Sequence, residues 1–349
     1  MVILPYYYLN SISAKIKRVM QKVDIAISYY GKPYQTMVTL FSLLEHSRGY
    51  VDKIYLSIEK KQPYKDAWQG VCKIKEVFEK QGVIIIYPER FVPWMSDVNP
   101  NGLDEAIRLS LRYQYALEKT DKPYVLICHN DMLYRRDLIG PMLQRFAETS
   151  DNLVGVGRIG QCWNCSAFFA KKCNPETFEQ YKPTQEELLR QMDEYPTPRE
   201  QRDRKLVQEG FVHPLPECRL NEYACLINVD LYRQSTIPNG PVPYFGGVWD
   251  GSDTAAAWFR YSYLHGLKFQ NFYYEEYADH APFSAVSNGN DADNNRFIYE
   301  DIERQAREYM IKHYHPDEYS TATKFQIAKM VTGKRIDKWY SKLRNRLRR

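Results

Sequence analysis

Residues 24–44 read DIAISYYGKPYQTMVTLFSLL. The apolar run DIAIS is short enough for a strand and gives way to the four-residue loop Tyr29-Tyr30-Gly31-Lys32. Pro33 follows, and at a first helical position its fixed φ and missing N–H are harmless. Met37, Leu40, Phe41 and Leu44 then recur at i, i+3, i+4 and i+7, the spacing of one buried helix face. A strand that passes through a tight loop into a helix of this kind is the opening of an α/β unit.

The same alternation continues outward. KIYLSI at 53–58 is a second strand, Val71, Ile74 and Phe78 mark a helix stopped at Gly82, and VIIIY at 83–87 is a third strand. A helix is expected from about Leu103 to Leu117, and YVLIC at 124–128 is a fourth strand. Continuous apolar runs fit strands buried on both faces, so the expected fold class is α/β with a doubly wound, Rossmann-like sheet and right-handed crossovers. Ligands of such sheets sit beyond the carboxyl ends of the strands, which singles out the loops Tyr29–Lys32, Glu59–Gln62 and His129–Tyr134. The second half is less regular. The charged stretch 182–212 reads as a helical excursion or a loop over the site. NEYACLINV at 221–229 reads as a strand, and PNGPVPYFGGVWDGS at 238–252 leads to a helix over Asp253–His265. The polar stretch NGNDADNN at 288–295 precedes a further helix over Arg296–Tyr314, and no internal repeat is visible.

Composition bounds the partners. In 349 residues a hydrophobic fraction of 44% suffices for a sizeable core. The 29 tyrosines suit sugar and base faces, but composition alone favours a Tyr-rich core and surface. The net charge of +5 is set by residues 334–349, where eight basic residues face only Asp337 and leave −2 for residues 1–333. In that tail Ile336, Trp339, Tyr340, Leu343 and Leu347 recur at helical spacing, a basic amphipathic pattern that suits an anionic membrane surface. A near-neutral body argues against nucleic acid as a partner. The start carries no secretory signal pattern and no stretch reaches the roughly 18 apolar residues of a membrane span. With an odd count of seven cysteines, the expectation is a cytoplasmic protein with reduced thiols, peripheral on a membrane through its tail.

His129-Asn130-Asp131 follows the YVLIC strand directly. A carboxylate at that strand end points into the ligand crevice, where it can hold a divalent cation that neutralises a diphosphate; the alternative is an Asp capping a turn. Cys162-Trp163-Asn164-Cys165 is a CxxC that, with Cys173 and Cys218, can make a four-thiolate zinc site. No second CxxC accompanies it and the other spacings are irregular, so a pocket wall with Trp163 against a sugar ring or the core is preferred.

Taken together, DIAISYYGKPYQTMVTLFSLL, KIYLSIE at 53–59 and YVLICHNDMLYRRDLI at 124–139 resemble the opening strand, nucleoside-contacting strand and DxD strand of GT-A-fold, family-2-like glycosyltransferases. The resemblance covers residues 22–145, with a weaker echo over 221–285. It implies that Asp131 binds a divalent cation (Mn²⁺ or Mg²⁺) as the last residue of DxD, with His129 in place of the first Asp and His280 a late co-ligand. It implies a nucleotide-sugar donor held by Tyr29, Tyr30, Glu59, Arg108, Asn130 and Trp163, and a general base at Asp253, with Asp250 in reserve. The expected organisation is an N-terminal extension at 1–21, a catalytic domain at 22–315 (donor half 22–145, acceptor half 146–315) and the basic tail at 316–349. The function implied is metal-dependent, inverting transfer of a sugar to a glycan or lipid-linked acceptor, as in polysaccharide biosynthesis. A retaining transferase of the same fold, or a non-catalytic carbohydrate-binding or scaffold protein, is the alternative.

Overall fold

A computed structural model describes residues 21–59, 62–64, 67–79, 82–86, 105–149, 151–247, 252–284 and 294–314, together with Thr332, Ile336, Trp339 and Leu343. In chain order the elements begin β1 (Val23–Tyr29), α1 (Pro33–Ser47), β2 (Val51–Ile58), α2 (Ala67–Phe78), β3 (Val83–Ile86), α3 (Glu105–Arg108) and α4 (Gln114–Lys119). They continue β4 (Tyr124–Cys128), β5 (Met132–Tyr134), α5 (Ile139–Glu148), β6 (Leu153–Ile159), α6 (Ser166–Phe169), α7 (Gln185–Glu194) and α8 (Glu200–Gln208). The last are β7 (Leu220–Asn228), α9 (Val229–Ser235), α10 (Ala256–Leu264), β8 (Lys268–Asn271), β9 (Ala278–His280) and α11 (Arg296–Tyr314). The chain is thus mixed α/β with a mostly parallel sheet, the fold class expected from the sequence. The described residues within 22–92, 103–141 and 275–349 cluster as one compact unit and those within 142–274 as a second.

In the first unit four parallel strands lie in the order β3-β2-β1-β4. Every residue of β1 is buried, which is why its sequence runs apolar instead of alternating. Between β1 and α1 the chain turns through two successive left-handed residues, Gly31 at φ 68° and Lys32 at φ 58°. A Cβ on Gly31 would meet Pro63 Cγ at 2.7 Å, so only glycine fits there. Helix α1 buries Met37, Leu40, Leu43 and Leu44, while Phe41 stacks on Tyr314 at a centroid distance of 5.1 Å. Its polar positions are also used. Thr39 Oγ1 donates to Met132 O at 2.8 Å and accepts the Met132 N–H at 2.9 Å, and Ser42 Oγ accepts the Tyr134 N–H at 3.1 Å. These bonds seat β5 on α1, and β5 pairs antiparallel with β9 so that Met132 faces His280.

Two expected helices differ. The helix over 103–117 is two short pieces, α3 and α4, because Tyr113 turns left-handed at φ 64°, which an α-helix does not tolerate; residues 103 and 104 lie outside the described residues. The helix over 253–265 begins only at Ala256, after Ala255 at φ 69°.

The second unit carries β7-β6-β8, with β6 antiparallel to β7 and parallel to β8. The charged stretch 182–212 folds as α7 and α8, and α7 opens on a capping box between Thr184 and Glu187. Its core is aromatic: Trp258 lies 5.1 Å from Phe245 and 5.3 Å from Phe269, and Phe259 stacks on Phe269 at 4.1 Å. Strand β6 needs its glycines for close approach. A Cβ on Gly157 would lie 2.6 Å from Cys225 Cβ and 3.1 Å from Ala224 O. Gly157→Ala is therefore expected to destabilise the protein by about 1–3 kcal/mol through overpacking, read as a lower denaturant midpoint with unchanged slope.

Candidate active site

The carboxyl ends of β1, β2 and β4 bring three loops together in the first unit. Asp131 lies one residue before β5 and is 3% exposed. Its Oδ2 accepts from Lys32 Nζ at 2.9 Å. Its Oδ1 is buried with no hydrogen bond among the described residues, and lies 3.7 Å from His129 Nδ1 and 3.5 Å from His280 Nε2. His280 arrives through the β5–β9 pairing, and the Ala281 N–H donates to Asp131 O at 2.8 Å. Burial alone would raise the Asp131 carboxyl; the Lys32 ammonium, then His280 and His129, outweigh it and hold it well below the usual carboxylate range. One potential ligand atom from each of His129, Asp131 and His280 lies within 4.8 Å of the others. A buried carboxylate held in its ionised form, with imidazole nitrogens 3.5 and 3.7 Å from Oδ1, is a donor set that fits a divalent cation, and the imidazoles favour Mn²⁺ over Mg²⁺.

The neighbouring loops are cross-tied. Asn130 Nδ2 donates to Gly31 O at 3.2 Å and to Thr36 Oγ1 at 3.1 Å. Gln62 accepts the Gly31 N–H at 2.6 Å and donates to Glu59 O at 2.7 Å. Glu59 Oε1 accepts from Arg112 at 3.0 Å and from Ser28 Oγ at 3.2 Å, while its Oε2 is buried with no hydrogen bond among the described residues. A buried acceptor left open at the end of β2 has the chemistry to take a hydroxyl or N–H of a nucleoside. Tyr29 is wholly buried and takes part through its carbonyl, which accepts from Gln62 at 3.3 Å; Tyr30 is half-buried beside it. Arg108 pairs in bidentate fashion with Glu118, at 2.7 and 3.1 Å. The arginine brought to Glu59 is Arg112, which the broken helix places there and which no local pattern announced.

Beneath this rim, Glu303 from α11 caps the start of α1, accepting the Tyr34 N–H at 2.8 Å and the Gln35 N–H at 3.3 Å. Burial pushes its carboxyl up to about 7 despite those bonds. A folded-state pKa above the ordinary 4.5 means that the folded chain holds the proton longer than the unfolded one. Its stability contribution is full below the ordinary value and is lost as pH rises through about 7. Glu303→Gln is expected to remove roughly 3 kcal/mol of that pH dependence. Parallel urea titrations at several pH values check it, and subtracting the variant isolates Glu303 from Asp203, whose carboxyl burial and Glu217 also push up to about 7.

In the second unit Asp253 is bound by two arginines. Its Oδ2 lies 3.0 Å from Arg199 Nη2 and 3.4 Å from Arg219 Nη2, and accepts from Gln161 Nε2 at 3.2 Å. Its Oδ1 accepts the Thr254 N–H at 2.9 Å. Burial raises this carboxyl, but Arg219 and Arg199 pull it well below the usual range. Of the two arginines Arg199 is the more exposed, at 33% of its side chain against 2% for Arg219. Asp250 lies outside the described residues. Trp163, 46% exposed, stands on the short turn Cys162–Asn164 and lies parallel to Tyr223 at 6.5 Å, an aromatic face of the type that carries sugars. In the tail, Ile336, Trp339 and Leu343 are helical and exposed. Among the described residues no helix is long and apolar enough to cross a membrane.

No known family profile matches the chain and no curated protein does. Solved structures do resemble it. A mannosyltransferase from Pyrobaculum calidifontis in complex with GDP-Man and Mn²⁺ is 10% identical over 76% of this chain, at a TM-score of 0.39. Mouse xyloside xylosyltransferase 1 is 14% identical over 72% of this chain and 85% of its own, also at 0.39. Glucosyl-3-phosphoglycerate synthase from Mycobacterium tuberculosis, in complex with Mn²⁺, UDP-glucose and phosphoglyceric acid, is 12% identical over 77% of this chain and 75% of its own, at 0.37. The chain spans 61% of the mannosyltransferase's length. At TM-scores below 0.5 these likenesses leave the chemistry to this chain's own residues.

Proposed function

We propose that the chain is a metal-dependent glycosyltransferase that uses a nucleoside-diphosphate sugar. The observation that carries this reading is the open, ionised Asp131 Oδ1 between His129 and His280, at the carboxyl end of a strand whose neighbours present Glu59 and the Gly31–Lys32 turn. Asp131, His129 and His280 hold the cation, which when bound supplies positive charge to the diphosphate leaving group. Lys32 adds a fixed ammonium beside the same position. Glu59 takes a hydroxyl or N–H of the nucleoside through Oε2, and Arg112 fixes its orientation through Oε1. Asn130 and Gln62 hold the Gly31 turn against both. Asp253 is the proposed proton acceptor for the incoming hydroxyl, in an inverting displacement, with Arg199 the group whose movement exposes it. Trp163 is the proposed sugar-stacking face. The acceptor is a glycan or lipid-linked sugar, and the basic tail, with Ile336, Trp339 and Leu343 exposed, holds the enzyme at an anionic membrane surface.

The test is binding and turnover of UDP-, GDP-, CMP- and dTDP-sugars by the full chain, with and without Mn²⁺. One donor bound only with metal supports the assignment and names the nucleotide. Binding to none of them at millimolar donor and metal removes it. Sedimentation with vesicles of phosphatidylglycerol, at low and high salt, examines the tail separately.

A further inference from the structure

Lys32 stands at the N-cap of α1 with a left-handed backbone, φ 58° and ψ 53°. That conformation strains any residue with a Cβ and persists only where the surroundings over-determine it. The position is also one where Ser, Thr, Asp or Asn normally turns an oxygen back onto the first N–H groups of the helix. A lysine has no acceptor to offer, and its side chain makes no cap bond here. The ammonium goes the other way, to Asp131 Oδ2 at 2.9 Å.

The cap comes instead from α11, 269 residues beyond Tyr34. Glu303, 7% exposed, accepts the Tyr34 N–H through Oε2 at 2.8 Å. Its Oε1 accepts the Gln35 N–H and Gln35 Nε2, both at 3.3 Å. One helical turn earlier, Tyr299 packs on Tyr64 at a centroid distance of 4.5 Å. Tyr299 Cε2 would lie 3.7 Å from a Cβ placed on Gly31. Residues four apart share a helix face, so one face of α11 meets the turn at Gly31 and again at Tyr34. From other directions Asn130 holds Gly31 O and Gln62 holds the Gly31 N–H. Burial raises the Glu303 carboxyl, while its bonds to Tyr34 and Gln35 and, after them, the Lys32 charge pull it down, so the two side chains act on each other.

We infer that Glu303 is a positioning residue for Lys32: it caps α1 from α11, which leaves the N-cap position to a lysine aimed at the diphosphate. This rests on the donor site proposed above. A helix N-terminus ordinarily attracts phosphate through its free N–H groups. Here the Tyr34 and Gln35 N–H groups are filled by the Glu303 carboxylate, so what this turn offers a diphosphate is the Lys32 ammonium. Without Glu303 the first turn of α1 loses its cap, and Lys32 loses a constraint that keeps it left-handed.

The test is a double-mutant cycle on the full chain, with UDP, GDP and dTDP as probes in the presence of Mn²⁺. Affinities are measured by titration calorimetry well below the melting temperature of every variant. Glu303→Ala is expected to weaken the bound nucleoside diphosphate about ten- to a hundred-fold. Glu303→Gln keeps one acceptor oxygen and should weaken it less; it also serves if the alanine variant fails to fold. Lys32→Met alone should weaken binding by a similar factor. Adding Glu303→Ala to Lys32→Met should then cost no further affinity, because the residue it positions is gone. A role in stability alone lowers the melting temperature and leaves affinity unchanged, or lowers affinity equally in both Lys32 backgrounds; either result overturns the inference. The wild-type chain separates this from the donor assignment. If it binds none of the three with Mn²⁺, the proposed function and this inference fall together. If it binds one and Glu303→Ala binds it as tightly, only the role of Glu303 falls.

Discussion

Asp131→Asn is expected to abolish Mn²⁺ binding and to lower sugar transfer about a thousand-fold or more, equivalent to some 4 kcal/mol of lost stabilisation. The substitution keeps the shape of the side chain and removes its charge, so that the open Oδ1 position becomes neutral. It also removes the carboxylate to which the Lys32 ammonium, 8% exposed at its side chain, donates, and breaking a buried pair destabilises by roughly 3–5 kcal/mol. Folding and function are separated by the double variant Lys32→Met, Asp131→Asn, in which both members of the pair are neutral. Its melting temperature should recover toward wild type while Mn²⁺ binding, followed by titration calorimetry, stays absent. His280→Ala should weaken Mn²⁺ binding less than Asp131→Asn does, since it leaves the carboxylate in place. Wild-type Mn²⁺ affinity in Asp131→Asn would remove Asp131 from the metal site.

The second large effect lies in the other unit and concerns stability. Arg219 is 2% exposed, lies 3.4 Å from Asp253 Oδ2 and donates to Thr254 O at 2.7 Å. Arg219→Met keeps much of the volume and removes the charge. Asp253, already buried to 17% side-chain exposure, then keeps Arg199 together with the Gln161 and Thr254 N–H donors, and Thr254 O loses the Arg219 donor. The expected loss is about 3–5 kcal/mol, read from urea unfolding, with the Asp253 carboxyl rising toward ordinary values. Adding Asp253→Asn to Arg219→Met should restore part of that stability, because the stranded charge is removed with its partner. If Arg219→Met unfolds at the wild-type urea midpoint, the pair contributes nothing and Asp253 is held by Arg199, Gln161 and the Thr254 N–H.

Much of the first unit was legible in the chain. β1, β2, β3 and β4 fall within a residue or two of the apolar runs that announced them, and α11 spans the predicted Arg296–Tyr314. Misreadings occur where the backbone turns left-handed at a residue with a side chain. Tyr113 and Ala255 break or delay helices that their neighbours' periodicity favours. Composition does not mark such positions, because packing imposes them against local preference. Asp131 was visible as an acid at a strand end, yet its setting was not. Lys32 and Arg112 carry no motif; they meet Asp131 and Glu59 only through the turn at Gly31 and the break at Tyr113.

The sequence by itself determined the strand–helix order, the loops at the carboxyl ends of the strands and the identity of the acids standing there. These follow from periodicity and turn chemistry, which act over a few residues. Only the tertiary structure decided the charge state and company of those acids. It brought His280 to Asp131 through the β5–β9 pairing, put two arginines on Asp253, and gathered Cys162, Cys165, Cys173 and Cys218 around one cavity. A carboxylate or thiol takes its chemistry from burial and from charges a few ångströms away, and in this chain those neighbours come from distant segments that only folding brings together.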